Sequence, residues 1–260
     1  MSSPFAFVGV IHLLPLPAGP VASPGFAAVR ARALADAACL AEGGAIGAIV
    51  ENFGDAPFSR GPVEPHVVAA MALLVAELRE RHPQLRWGVN VLRNDVRAAL
   101  GIAAIAGADW VRANVLAGAA VTDQGVIEGE AHAWLRYRRE LGAERVALFA
   151  DVHVKHAQPL GGGTVAEAAG DLAHRAGAGV LIVTGKATGA AAAEADVAAA
   201  RAAAPGVPVW LGSGVTHASA PRWRALADGA IVGTALHMDG DVRAPLELER
   251  VVRMAALLRA

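Results

Sequence analysis

RAGAGVLIV (Arg175–Val183), closed by Thr184-Gly185, holds in one short stretch the unit from which the chain is built. A glycine ends a helical run where a left-handed residue is needed, an apolar strand follows, and polar or glycine residues end the strand. The joints EGGAIGAIV (Glu42–Val50), IAGADWVRA (Ile105–Ala113) and LADGAIVGT (Leu226–Thr234) repeat it. Working outward, eight apolar runs end in this way and are followed by helix-like runs: VGVIH (Val8–His12), IVEN (Ile49–Asn52), GVNVLRND (Gly88–Asp95), VRANV (Val111–Val115), FADVHVKH (Phe149–His156), LIVTG (Leu181–Gly185), VWLGSG (Val209–Gly214) and IVGT (Ile231–Thr234). Continuous Val, Ile and Leu runs, rather than alternating ones, belong to parallel strands covered on both faces. Eight such units predict an α/β fold, a (β/α)8 TIM barrel, with one domain spanning residues 1–260. Such barrels keep their chemistry at the C-terminal strand ends, so the pattern also marks the residues to read.

Length and composition agree with that fold. The chain has 260 residues, 55% of them hydrophobic, and a mean hydropathy of +0.41, as strands buried on both faces require. A formal net charge of −1 argues against nucleic acid as a partner. The single Cys39 excludes an internal disulfide framework and reads as a small buried residue within a helix. Apolar runs are broken by Gly, Pro or charge well short of the roughly 20 residues that cross a bilayer. Phe5–Leu16 lacks a basic leader and is interrupted by His12 and Pro15, so it reads as the first strand and its loop. A cytoplasmic protein is expected, forming a homo-oligomer, with no transmembrane segment; peripheral contact with a membrane is compatible with the sequence.

Several helix boundaries are legible. Ser23-Pro24 predicts the start of the first helix, Pro65 the second, Asn94 or Asp95 caps the third, and Thr164 with Glu167 forms a capping box. A fourth helix is predicted over Glu128–Leu141. Two loops are long, Phe53–Glu64 and Leu116–Gly129, and the second has the pattern of a small hairpin over the barrel mouth.

The strand ends divide into two kinds. In the fifth run, Asp151, His153 and Lys155 share a face if the strand persists that far. That trio suits proton transfer, with Asp151 as base or orienter, His153 as acid/base and Lys155 as electrophile or phosphate partner. Lys155 as a Schiff-base amine and Asp151 with His153 as metal ligands stay open. Glu51 is a candidate base or ligand, or the buried partner of Arg93 or Arg112, and Asn52 points away from it. His12 ends the first run on the same rim. Asn90, Arg93, Asn94, Arg112, Asn114, Asp123, Gln124 and Thr184 complete a candidate substrate-binding set. Asn94 also reads as a helix cap, and Asp123 and Gln124 as turn residues. Arg112 in a barrel wall needs an anion, either Glu51, Asp151 or a ligand. The last three runs end in Gly185, Gly212-Ser213-Gly214 and Gly233-Thr234, with Thr188-Gly189 behind the first. Glycines admit close backbone approach to an anion, so this side reads as a phosphate cradle.

At these residues the chain resembles the BtpA/SgcQ family. The resemblance is carried by HLLPLPAG (His12–Gly19), VENFGDAPF (Val50–Phe58), GVNVLRND (Gly88–Asp95), VRANVL (Val111–Leu116), TDQGVIEG (Thr122–Gly129), DVHVKHAQPL (Asp151–Leu160), VTGKATG (Val183–Gly189), LGSGVT (Leu211–Thr216) and DGAIVGT (Asp228–Thr234). It implies a TIM barrel of the phosphate-binding type. One branch of the family resembles a photosystem I biogenesis factor associated peripherally with thylakoids, and another lies among sugar-catabolic genes and is described as a nucleoside triphosphatase. No Walker A loop accompanies these motifs. Three expectations follow. The first is an isomerase- or lyase-type enzyme using acid/base chemistry on a phosphorylated sugar or nucleotide-like molecule, with bound phosphate or sulfate. The second is a non-catalytic assembly or stability factor for photosystem I. The third is a hydrolase with a divalent metal on His12, Glu51, Asp151 and His153.

Overall fold

The computed structural model describes residues 5–185 and 191–259. In chain order the elements are β1 (Ala6–His12), α1 (Phe26–Glu42), β2 (Gly47–Glu51), α2 (Pro65–Arg81), β3 (Arg86–Asn90), α3 (Val96–Ala106), β4 (Trp110–Ala113), β5 (Ala119–Thr122), β6 (Gly125–Glu128) and α4 (Ala131–Glu140). They continue with β7 (Ala147–Asp151), β8 (Ala157–Pro159), α5 (Val165–His174), β9 (Val180–Val183), α6 (Glu194–Ala203), β10 (Val209–Leu211), α7 (Ala220–Leu226), β11 (Gly229–Val232) and α8 (Leu248–Arg259). Eight parallel strands close into a barrel in the order β1-β11-β10-β9-β7-β4-β3-β2. The TIM barrel expected from the repeating joints is therefore the fold.

Strand alternation sorts the side chains by height and face. The outward set, with Val50, Val89, Val111, Leu148, Leu181 and Leu211, packs against the buried stripes of the helices, such as Val29, Ala33, Ala37 and Leu40 of α1. The inward set fills the lower barrel with Val8, Val10, Ile49, Trp110, Phe149, Val180, Ile182 and Ile231. Trp110 stacks on Phe149, which meets Trp210 edge-on, with centroids 5.2 and 5.1 Å apart. So large a ring needs a neighbour without a side chain: a Cβ on Gly88 would lie 2.1 Å from Trp110 Nε1. Two residues further along the same inward faces come Glu51, Asn90, Arg112 and Asp151, all buried. The lower barrel is thus an apolar plug and the polar layer rests on it.

A second, three-stranded antiparallel sheet, β6-β5-β8, covers the β4 and β7 side of the mouth. The predicted hairpin is its β5–β6 pair, and the chain after β7 rises to add β8 against β5. Its under-face, Ala120, Ile127 and Ala157, packs on Val115 and Val154. This pairing corrects the predicted fourth helix. Gly125–Glu128 is strand, burying Ile127 opposite Ala120, and the helix starts only at Ala131. The first helix also starts late, at Phe26. Ser23 Oγ instead accepts from Gly25 N at 3.1 Å and donates to the Pro15 carbonyl at 2.7 Å. Asp95 caps α3, and Thr164 with Glu167 forms the capping box of α5, as the sequence indicated. Among the described residues no helix is long and apolar enough to cross a membrane. Cys39 sits half-buried in α1, its thiol pushed up to about 11 by burial and neighbouring carboxylates.

Candidate active site

Arg112 occupies the centre of the mouth. Its Nη2 and Nε donate to Asp151 Oδ1 and Oδ2 at 3.0 and 3.2 Å, a two-pronged grip, and its Nη1 donates to Glu51 Oε1 at 3.4 Å. The anion that Arg112 required is therefore both candidates at once. Two amides complete the layer. Asn90 Nδ2 donates to Glu51 Oε1 at 3.1 Å, and Asn114 Nδ2 donates to Asp151 Oδ2 at 2.6 Å. Both Asp151 oxygens are thus engaged, whereas Glu51 Oε2 accepts from no described residue. Burial pushes the Glu51 carboxyl up, but the charges of Arg112 and Lys155 and the Asn90 bond outweigh it. The group is held below its ordinary range and ionised.

Lys155 approaches this layer from the loop after β7. Burial, reinforced by Arg112, lowers its ammonium, which forms no ion pair or hydrogen bond with a described residue. Arg93 closes that side, its Nη2 donating to the Lys155 carbonyl at 2.7 Å. From the opposite rim comes His12, whose Nδ1 lies 3.0 Å from His237 Nε2. His237 Nδ1 lies 2.6 Å from the Ala244 carbonyl, which only accepts, so that nitrogen carries the proton. Burial lowers both rings, His12 to about 4, so both are neutral near pH 7. His237 Nε2 then accepts from His12 Nδ1–H, and His12 Nε2 is left as a lone pair in the mouth. His237 is fully buried, and sequence reading missed it. It follows β11 by a few residues, and only its position beyond a rim strand end could have flagged it.

The mouth has two lobes that share Glu51, Phe53, Arg112 and Lys155. The first, about 150 Å³, is lined by His12 and by Gly212, Ser213, Gly214, Gly233 and Thr234. Gly212 is needed for close approach: a Cβ there would lie 2.4 Å from Ile182 Cγ2 and 2.9 Å from Arg112 Nη2. Its N–H is engaged with the Val183 carbonyl at 3.0 Å. The second lobe, about 230 Å³, is lined by Asn90, Arg93, Asn114, Asp123 and His156.

Other candidates fall elsewhere. β7 ends at Asp151, so alternation stops there, and His153 lines neither lobe. It lines, with Asp151 and Asn114, a groove of about 660 Å³ between the small sheet and α5. Asn52 faces out of the barrel and locks two loops, accepting from Leu92 N at 2.7 Å and donating to Asp55 Oδ2 at 3.2 Å. Asn94 exchanges two hydrogen bonds with the Val115 backbone, both 3.0 Å. Thr184 Oγ1 donates to the His153 carbonyl at 3.0 Å. Gln124 lies at the hairpin tip, donating to Asp123 Oδ2 at 2.6 Å. Gly185 ends its stretch beyond β9, and Lys186, Thr188 and Gly189 lie outside the described residues.

The donor set does not fit the metal reading. Arg112 fills the space between Glu51 and Asp151, and His153 is outside the mouth. Among the described residues no group of three His, Cys, Asp or Glu is placed to hold a metal ion.

A family model described as BtpA family matches residues 4–260. The chain belongs to the BtpA family. It is 44% identical over 253 residues to the photosystem I biogenesis protein BtpA of Synechocystis sp., covering 97% of this chain and 86% of that protein. A second family relative, an uncharacterized protein of Thermococcus kodakarensis, is 41% identical over 97% of this chain and 94% of its own length. Among solved structures, phosphoribosyl anthranilate isomerase from Thermus thermophilus superposes with a TM-score of 0.61 at 15% identity, covering 98% of both chains. That likeness shows the shared barrel.

Proposed function

We propose that this BtpA-family barrel is an enzyme that moves protons on a small phosphorylated sugar or nucleotide-like molecule, in an isomerase- or lyase-type step. The observation that carries the reading is the junction of the two lobes. There the free Glu51 Oε2 and the unpaired Lys155 ammonium meet one cavity wall built of glycine and hydroxyl residues. The Gly214 and Thr234 amides donate to no acceptor among the described residues, which suits them to an anion. With the phosphoryl group seated there, Glu51 Oε2 takes a proton from the adjoining carbon or hydroxyl. The Lys155 ammonium stabilises the oxyanion that develops. Arg112 and Asn90 keep Glu51 ionised and aimed, Asp151 holds Arg112, and His12 Nε2 accepts from a substrate hydroxyl. His153 takes no part in this step. The reading carries with it a cytoplasmic location and a homo-oligomer.

Deuterium exchange tests this without knowledge of the product. The protein is incubated in D2O with a panel of sugar monophosphates and nucleotides, and carbon-bound deuterium is followed by NMR. Exchange into at least one ester, lost in Glu51→Gln and Lys155→Met, is expected. Folded protein that neither exchanges nor binds any ester refutes the reading. The name of the Synechocystis relative favours a second one, assembly of photosystem I with peripheral membrane contact. Capture of photosystem I subunits by a protein inert in the exchange assay supports it.

A further inference from the structure

The second lobe carries the clearest chemical signature in the molecule. Among the described residues six buried side-chain nitrogen or oxygen atoms lack a hydrogen-bond partner, and three of them, Asn90 Oδ1, Asn114 Oδ1 and Arg93 Nε, belong to residues lining this lobe. Folded proteins leave few such atoms, so their gathering around one small cavity calls for a ligand. The amide orientations are forced. Asn90 and Asn114 each face a carboxylate, Glu51 and Asp151, and a carboxylate paired with Arg112 only accepts. Each NH2 must therefore turn to its carboxylate and each carbonyl oxygen away from it. The lobe thus offers two acceptors and one donor, with the Asp123 carboxylate as a further acceptor at its edge.

A phosphate or carboxylate group brings only acceptors and would meet the two amide oxygens unfavourably. A hydroxyl both donates and accepts, so adjacent hydroxyls satisfy the whole set. Size limits the ligand further. About 230 Å³ is below the roughly 300–1,000 Å³ of sites for drug-sized ligands, which favours a compact polyol over a nucleobase with its ribose.

We propose that the second lobe seats the hydroxyl-bearing end of a sugar, with two hydroxyls donating to Asn90 Oδ1 and Asn114 Oδ1 and an oxygen accepting from Arg93 Nε. Among the classes named above, this selects a sugar monophosphate over a nucleotide. The assignment rests on the first lobe being the phosphate seat, and it gives that reading a polarity, phosphate toward Gly214 and polyol toward Asn90.

Binding calorimetry on the full chain separates the two ideas. The probes are inorganic phosphate, free pentoses and hexoses, their monophosphates, the monodeoxy analogues of the tightest-binding monophosphate, and an alkyl phosphate of matching length. Loss of a hydroxyl that pairs with a buried acceptor weakens binding by about tenfold or more. At least two monodeoxy analogues are therefore expected to bind that much more weakly than their parent, and the alkyl phosphate weaker still. Asn114→Leu, checked for folding by circular dichroism, is expected to erase the discrimination at one hydroxyl only. If phosphate and esters bind but deoxygenation changes affinity less than twofold, the polyol assignment falls and the phosphate seat stands. If free sugars bind with hydroxyl discrimination and phosphate adds nothing, the phosphate seat falls and the polyol assignment stands. Tighter binding of nucleotides than of any sugar phosphate, or a crystal structure after sugar soaking with water alone in the lobe, overturns the assignment.

Discussion

Arg112→Met removes the cation, keeps an unbranched apolar stem, and leaves Glu51 and Asp151 facing each other in a closed layer. The loss is calculable from the structure. Arg112 is 3% exposed, Asp151 3% and Glu51 5%, so water does not replace the missing guanidinium. Removing one member of a buried ion pair costs about 3–5 kcal/mol, because the other charge is left desolvated. Domains somewhat smaller than this one shift by about 2–4 °C per kcal/mol, so the melting temperature should fall by about 6–20 °C. A pH series sharpens the test. With Arg112 present, the Glu51 carboxyl lies below its ordinary range, so its stabilising contribution is in place above the unfolded value and is lost as pH falls through the folded one. In the variant, the largest influence opposing burial is gone and only Lys155 and the Asn90 bond hold Glu51 down, so its carboxyl rises. The destabilisation is then largest at neutral pH and shrinks as acid protonates the carboxyl. Calorimetric melting of both proteins from pH 7.5 to about 5 measures the narrowing gap. A triple variant with Glu51→Gln and Asp151→Asn should recover most of the loss, since none of the three charges of the layer remains to be left unpaired. A fall in melting temperature under about 3 °C, or a gap independent of pH, refutes a desolvated triad.

Three further outcomes test other parts of the account. His12 titrates at about 4 when folded, against an ordinary value of 6.5; its contribution is complete above pH 6.5 and declines toward pH 4, so His12→Gln should flatten that limb of the stability profile. NMR titration of the His12 ring with a midpoint near its ordinary value would contradict the His237 tautomer chain. Gly212→Ala drives a methyl into Ile182, Thr184 and Arg112 and should cost about 1–3 kcal/mol by denaturant unfolding, while a neutral result would mean the Arg112 layer is loosely packed. Asp95→Ala deprives both Ala98 N and Val63 N of an acceptor; about 0.5–2 kcal/mol is expected from the lost cap, with faster proteolysis in the loop that holds Val63.

The barrel was readable because its signals are local. A glycine that ends a helix and a continuous Val/Ile run that follows need no knowledge of the rest of the chain, and the pair recurs at several joints, as at Gly44, Gly107 and Gly177. Strand parity is equally local, so the inward placing of Glu51, Arg112 and Asp151 could be expected. Parity fails where a strand stops. β7 ends at Asp151 because the chain beyond it leaves the barrel to pair with β5. That leaves His153 out of both lobes and brings Lys155 to them. Nothing near His153 announces this, because the cause is the partner strand at Ala119–Thr122. The other partner of β5 is β6, the hairpin the sequence indicated; it runs on through Glu128, so the helix predicted to begin there starts only at Ala131.

By itself, then, the sequence determined the eight barrel strands with their helices, the alternation of side chains within each strand, and the division of the rim into an ionisable side and a glycine-hydroxyl side. These follow from backbone periodicity and turn chemistry, which act over a few residues. Only the tertiary structure decided which groups are engaged and which are free. Arg112 takes both carboxylates, Asn90 and Asn114 turn their NH2 groups to those carboxylates and leave their oxygens unpartnered, and His237 meets His12 across 225 positions of chain. Hydrogen-bond satisfaction in a buried layer is a property of all its members together, and they meet only when the barrel closes.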